Sequence, residues 1–244
     1  MVVQKNTETG RGKHMSLDER YARNMNMLTL EENHTIQQSC VAVIGCGGLG
    51  GGIIEMLARI GVGKIIAVDG DVFDRSNLNR QLLSHRENIG EKKAEEAKKR
   101  VDLVNPDVEV IAVSERIDEN NGRKMLEGAK ILVDATDRIK TRLMLQKLAE
   151  EIRIPMVHGA IAGWFGQVTT ILPGDATLDA IYPKSDNDQG VEKELGNPSF
   201  TPALVGSVQV SEVIKLLINR GELLRHKMLY IDLLEQEYTL LEMA

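Results

Sequence analysis

The sequence predicts a doubly wound α/β fold, a mainly parallel sheet with helices on both faces and an antiparallel C-terminal extension. Three features carry that expectation. CVAVIG, KIIAVDGD and AKILVDAT contain uninterrupted apolar runs that end in turn residues, as strands buried on both faces of a parallel sheet do. Segments of helical spacing alternate with them, and a crossover helix is what joins consecutive parallel strands. Near the C-terminal end, KMLYIDLLEQEYTLLEM reads as a closing pair of strands.

Residues 1–15, MVVQKNTETGRGKHM, are polar and without periodicity, and read as a flexible tail ahead of a single domain over 16–244. From Ser16 a capping residue, early acidic residues and spaced apolar positions predict one or two short helices. The first strand, Cys40–Ile44, is followed by the glycine cluster GCGGLGGG and a helix, IIEMLARIGVG, ending at Gly61 or Gly63. A second strand, a charged helix near Glu91–Val104, the strand DVEVIAVS and a short helix lead to AKILVDAT. A helix near Ile139–Ile152 and the strand IPMVHGAI complete the parallel part. GWFGQVTTILPG alternates like a half-exposed strand, and the polar stretch of about 175–199 reads as a mobile crossover loop. TPALVGSVQVSEVIKLLINRG has helical spacing with Gly221 as its stop, giving a core helix.

At 244 residues, 42% of them hydrophobic, the chain is large enough to close its core without disulfides or a structural metal. Its two cysteines, Cys40 and Cys46, lie in one short stretch, which excludes a disulfide framework and a four-thiolate zinc site. A reducing, cytoplasmic setting is expected. The formal net charge of -6 argues against broad nucleic-acid binding while leaving room for a local phosphate pocket. No apolar run approaches the roughly 18 residues of a membrane span, and no signal-peptide core is evident.

Gly45, Gly47 and Gly50 stand in a G-x-G-x-x-G arrangement between a strand and a helix, where bare backbone approaches phosphate and the helix N-terminus favours negative charge. The motif points to a nucleotide without saying which. Gly48 extends the bare backbone. Cys46, inside the loop, reads as a small residue facing the sheet, because a thiolate there would lie beside bound phosphate. Asp69 ends the second strand at the distance where dinucleotide folds place a carboxylate on ribose hydroxyls. DGDVFDRSNLNRQ then adds Asp71, Asn77, Arg80 and Gln81, and Lys92 and Lys93 start the next helix, together a ribose acceptor and a cationic set able to hold a triphosphate.

GCGGLG, VDGDVFDRSNLNRQ, Lys93, VDATD at Val133–Asp137 and RYARN at Arg20–Asn24 occur in order, and with them the chain resembles the ubiquitin-activating-enzyme-like adenylyltransferases of the HesA, MoeB and ThiF type, a Rossmann-like family that activates sulfur-carrier proteins. The resemblance implies ATP and magnesium as cofactors and an acyl-adenylate formed on the Gly-Gly end of a ubiquitin-like carrier. It implies that Asp69 holds the ribose, that Asn77, Arg80 and Lys93 contact ribose and phosphates, and that Asp137 coordinates magnesium. It further implies a homodimer in which Arg23 reaches the terminal phosphates of the second subunit. A carboxylate with a pKa near 4 is already ionised at pH 7, so positioning and charge neutralisation suffice for attack on the α-phosphorus without a general base.

The chain departs from the family pattern in three places. No cysteine lies in 175–199 to take up the acyl group as a thioester, the paired C-x-x-C of a zinc ribbon is missing, and Arg138 stands where relatives carry Asn. These departures keep a small-molecule or peptide carboxylate open as the substrate. A nicotinamide-dependent oxidoreductase on the same glycine loop and a non-catalytic paralogue are further alternatives. His158, ending the fifth strand, either lines the acceptor cleft or packs beneath the loop. Trp164 and Phe165 either support a groove for an extended tail or belong to core or interface.

Overall fold

A computed structural model describes residues 17–183 and 192–243. The expected tail over 1–15 lies outside the described residues, as does the middle of the crossover segment. The described chain is an eight-stranded sheet in the order β3-β2-β1-β4-β5-β6-β7-β8. Its strands are β1 (Cys40–Ile44), β2 (Lys64–Val68), β3 (Glu109–Val113), β4 (Ile131–Asp134), β5 (Met156–Ala162), β6 (Phe165–Ile171), β7 (Lys227–Asp232) and β8 (Glu237–Glu242). The first five are parallel, and β5–β6, β6–β7 and β7–β8 pair antiparallel. Each expected strand is present, and the antiparallel extension is three strands deep.

The helices are α1 (Leu30–Gln37), α2 (Gly48–Ile60), α3 (Lys93–Val104), α4 (Gly122–Met125), α5 (Ile139–Glu151), α6 (Thr177–Ile181), α7 (Glu192–Leu195) and α8 (Phe200–Ile218). Alternate residues of β1 face opposite sides of the sheet, which explains its wholly apolar sequence. Val41 and Val43 join α1, α2, α3 and α8 in one core, while Ala42 and Ile44 join Leu145, Leu148 and Ala149 of α5 in the other. The chain runs from β1 outward to β2 and β3, then crosses back to β4 on the other side of β1. That reversal opens a crevice at the carboxyl ends of β1 and β4, where ligands of open α/β sheets bind.

Three local outcomes differ from the sequence expectation. Helix α2 starts within the glycine cluster rather than after it, because a side-chain carbon at Gly50 would lie 1.6 Å from the Gly45 carbonyl oxygen. The contact is open only to glycine. Helix α8 stops at Asn219, held in the left-handed region at φ 49°, rather than at Gly221; asparagine is the residue after glycine that most readily accepts this geometry. The start of the expected crossover loop holds α6, whose Leu178 is buried in the α5-side core.

By length and composition α8 is apolar enough to cross a membrane. Its buried face nevertheless carries Gln209 and Glu212, which bond the Asp134 and Val157 carbonyls and the Thr170 hydroxyl and Leu224 N–H respectively. It is built as a core helix.

The glycine contact predicts opposite outcomes for two neighbouring alanines. Gly50→Ala should lower unfolding free energy by about 3 kcal/mol or more through overpacking. At Gly52 an added carbon meets nothing within 4 Å, so Gly52→Ala should be neutral or stabilising by up to about 1 kcal/mol. Urea unfolding of the two variants distinguishes them, and equal midpoints would contradict the packing described.

Candidate functional site

A cavity of about 700 Å³ occupies the crevice at the carboxyl ends of the strands, lined by the glycine loop, the turn after β2, the start of α3 and the turn between β4 and α5. Its shape begins with Asp69. One carboxylate oxygen accepts from the Cys46 N–H at 2.7 Å and the other from the Asp71 N–H at 2.8 Å. The Gly45 N–H donates to the Val68 carbonyl at 2.8 Å, so the glycine loop is tied to the end of β2 at two points. Gly47 caps α2 without a side-chain hydrogen bond. The uncapped N–H groups of this helix therefore lie on the cavity wall at Gly47 and Gly48, with the positive end of the helix dipole behind them.

Cations and carboxylates share the remaining wall. Lys93 is only 8% exposed, and its ammonium lies 3.8 Å from the Asp71 carboxylate. Arg80 is braced against the Ser76 carbonyl at 3.0 Å and the Asn79 side chain at 2.8 Å. Arg116, three residues beyond β3, pairs with Asp71 at 3.0 Å. Asp137 and Arg138 are exposed on the opposite lip. Asp137 makes no hydrogen bond or ion pair with another described residue, in contrast to Asp69 and Asp71. Together these groups can take a polyanion along the glycine loop and a divalent cation at Asp137. Among the described residues no three His, Cys, Asp or Glu side chains cluster around a metal site. A magnesium ion here would thus take the phosphates as its other ligands, which is its usual habit.

The structure brings Gly45, Gly47, Gly48, Asp69, Asp71, Arg80, Lys93 and Asp137 to one cavity. Gly50 acts beneath it, through the close contact with Gly45. Asn77 does not reach the cavity lining. It is buried, and its carbonyl oxygen accepts from the Asp74 N–H at 3.0 Å in a capping box that closes the turn before Arg80. Asparagine serves turns as readily as ligands. Arg23 is also remote. It lies in the 3-10 turn Glu19–Asn24, whose Asn24 bonds the Ile60 carbonyl at the far end of α2.

Cys46 faces the core and is fully buried. Burial, with the charge of Asp69 added, pushes its thiol well up, so no thiolate is available. Trp164 lies against Phe200 with ring centroids 4.7 Å apart, and Phe165 stacks on Tyr230. His158 packs beneath the cavity rather than lining it. It is fully buried, with Nδ1 2.7 Å from the Asp134 carboxylate and Nε2 3.2 Å from the Tyr182 hydroxyl. Burial pushes its pKa down and the hydrogen bond to Asp134 pulls against that, leaving it below the ordinary value. Burial raises the Asp134 carboxyl, but hydrogen bonds from His158 and Thr136 and the charge of Arg142 outweigh it and hold the group low.

Gln81, named with the segment after β2, lines the cavity, and so do Arg116 and Arg142, which sequence reading left out as site residues. Arg116 stands three residues beyond the end of β3, in a region that the sheet rule marks. Arg142 carries no such signal, standing one turn into a helix among other charged residues.

A family model described as "ThiF family" matches residues 21–244. The chain is 36% identical over 232 residues to the SAMP-activating enzyme E1 of Haloferax volcanii, covering 92% of this chain and 86% of that one. It is 33% identical over 230 residues to the sulfur carrier protein adenylyltransferase of Thermus thermophilus, covering 90% and 85%. Among solved structures it resembles PaaA, with a TM-score of 0.78 at 20% identity over 99% of this chain and 78% of that one. It also resembles E. coli MccB with ATP, with a TM-score of 0.77 at 20% identity over 93% and 72%. At those identities the likeness is one of fold.

The buried histidine predicts a pH dependence of stability. Its folded pKa lies below the ordinary value of about 6.5, so between the two the unfolded chain binds more protons and stability falls as the pH falls. Urea midpoints should therefore drop as the pH decreases through about 6.5, and His158→Gln should flatten that part of the curve. An unchanged slope in the folded variant would contradict the assignment.

Proposed function

The chain belongs to the ThiF family, and from that premise we propose that it is an ATP- and magnesium-dependent adenylyltransferase acting on the C-terminal Gly-Gly carboxylate of a ubiquitin-like sulfur-carrier protein. The observation that carries the reading is the convergence on one cavity of an uncapped helix N-terminus, Arg80, Lys93 and Asp137, the last without a partner among the described residues. The relatives named for SAMP activation and for sulfur-carrier adenylylation support the carrier as substrate. A nicotinamide oxidoreductase does not go with this family, and that alternative is set aside.

In the proposed reaction the phosphates lie along the glycine loop, where backbone N–H groups and the dipole of α2 meet their charge without a side chain in the way. A carboxylate oxygen of the substrate forms the new bond to the α-phosphorus as the bond to pyrophosphate breaks. No base is needed, because the attacking carboxylate carries no proton at neutral pH. Arg80 and Lys93 hold the triphosphate, and their own fixed partners limit how far they move during the reaction. Magnesium held by Asp137 and the phosphates would neutralise charge on the leaving pyrophosphate.

Asp69 accepts two backbone bonds, so its first role is to shape the loop; Asp71, more exposed beside it, is the better placed ribose acceptor. Arg23 acts in a homodimer, supplied by one subunit to the cavity of the other. Its position at the opposite end of α2 supports that division, since a helix of 13 residues is about 20 Å long. The protein works in the cytoplasm, in keeping with two buried free cysteines. One observation favours a second reading: the absence of cysteine from 175–199 removes a thioester step on that segment and suits a small or peptide carboxylate equally.

Exchange of labelled pyrophosphate into ATP tests the proposal directly. Exchange that requires magnesium and a carrier ending in Gly-Gly supports it, exchange with small carboxylates alone selects the second reading, and none with any carboxylate refutes both. Asp137→Ala should lower exchange by at least about a hundredfold in a folded protein. Arg23→Ala and Lys93→Ala should each be inactive, yet mixing them should restore up to about a quarter of wild-type activity, because half of the randomly formed dimers hold one intact site of two. No recovery on mixing would exclude action across subunits.

A further inference from the structure

Beneath the cavity, five side chains close a ring of hydrogen bonds around the turn that carries Asp137. Asp134, at the end of β4, accepts on one oxygen from the Thr136 N–H at 2.9 Å and the Thr136 hydroxyl at 2.7 Å. The Thr136 carbonyl accepts from Arg142 Nε at 3.2 Å and Nη2 at 2.9 Å. Arg142 Nη1 donates to the Tyr182 hydroxyl at 3.0 Å, and the guanidinium carbon lies 5.4 Å from the Tyr182 ring centroid. Gln167 donates to the same hydroxyl at 2.6 Å. The Tyr182 hydroxyl lies 3.2 Å from His158 Nε2. His158 Nδ1 lies 2.7 Å from the second oxygen of Asp134. The circuit thus runs from Asp134 through Thr136, Arg142, Tyr182 and His158 back to Asp134.

The circuit grips residue 136 by its N–H, its hydroxyl and its carbonyl. The next residue, Asp137, has no described partner of its own, so its place depends on that grip. Arg142 and His158 are almost fully buried, and buried polar networks repay their desolvation when complete and fail as a unit when broken. Such second-layer bonding is what orients a carboxylate for a metal.

We propose that His158, Tyr182 and Arg142 are positioning residues that fix the Thr136–Asp137 turn, so that Asp137 is preset to hold the metal of a metal–nucleotide complex. The inference rests on the metal role of Asp137 in the reading above and extends it to residues that act on Asp137 through Thr136. Its signature is a selective loss: metal binding in the presence of nucleotide weakens, while nucleotide binding without metal does not.

Tyr182→Phe removes the one oxygen on which the ring turns and keeps the aromatic packing. Manganese titrated into the full-length protein with ATP, and followed by the paramagnetic resonance of free manganese, should bind about tenfold more weakly. ATP affinity without divalent metal should stay within about twofold. His158→Gln, which breaks the ring between Asp134 and Tyr182 at a residue outside the cavity lining, should show the same split and carries the test should Tyr182→Phe not fold. Unchanged manganese binding in either folded variant, or equal weakening of metal-free ATP binding, overturns the proposal. The two readings fail separately: wild-type protein without pyrophosphate exchange but with the manganese effect loses the reaction and keeps the positioning, whereas active protein without the effect loses the positioning alone.

Discussion

Between Gly50 in the first turns of α2 and the carbonyl of Gly45 there is no room for a side chain; a carbon added at Gly50 would stand 1.6 Å from that oxygen. The site depends on this closeness. It lets the helix begin directly over the end of β1, so that its uncapped N–H groups arrive at the point where the strand order reverses. Gly45 itself takes φ 95°, and a carbon there would meet the Ala135 carbonyl at 2.7 Å. The glycine loop is thereby wedged between α2 and the turn after β4. One contact thus sets the distance between the helix that meets phosphate and the turn that carries Asp137.

Around that wedge the charges are arranged by short, local bonds rather than by bulk composition. The chain is acidic overall, at -6, yet its cavity wall holds Arg80, Lys93, Arg116, Arg138 and Arg142. Lys93 is nearly buried, and the Asp71 carboxylate lies beside its ammonium. Asp69, bonded at both oxygens, is a fixed strut, whereas Asp137, without a partner among the described residues, can take a cation. Carboxylates on one cavity are separated into structural and ligand duties by what their oxygens already hold.

The strands and the glycine loop were legible because full burial on two faces leaves a continuous apolar signature, and because the loop's conformation demands a residue type. The family motifs brought most of the cavity residues with them. What escaped was non-local or ambiguous in type. His158 and Asp134 stand opposite each other on β5 and β4, a pairing that only the register reveals. Tyr182 follows a five-residue helix inside a polar stretch whose single buried leucine gives no periodicity. Asn77 stands outside the cavity lining because its side-chain oxygen closes its own turn, a use that its motif does not announce. Asn219, not Gly221, ends α8, since packing decided where the last apolar turn stopped.

The same distribution of bonds separates what the chain can complete by itself from what it cannot. The strut at Asp69, the braced Arg80 and Lys93, and the ring under Asp137 all lie on one side of α2, within a single chain. Arg23 lies beyond the other end of that helix, anchored through Tyr21, whose hydroxyl accepts from Asn105, and through Asn24. These anchors make the N-terminal turn part of the fold, so Arg23 cannot swing to its own cavity without unpacking Tyr21 from the core. If the proposed reaction needs that guanidinium at the terminal phosphates, a second chain must bring it, and adenylation is then conditional on assembly. Under that arrangement a lone subunit would bind nucleotide through the groups it already holds in place and stop short of transfer, so that nucleotide binding and turnover would depend differently on protein concentration.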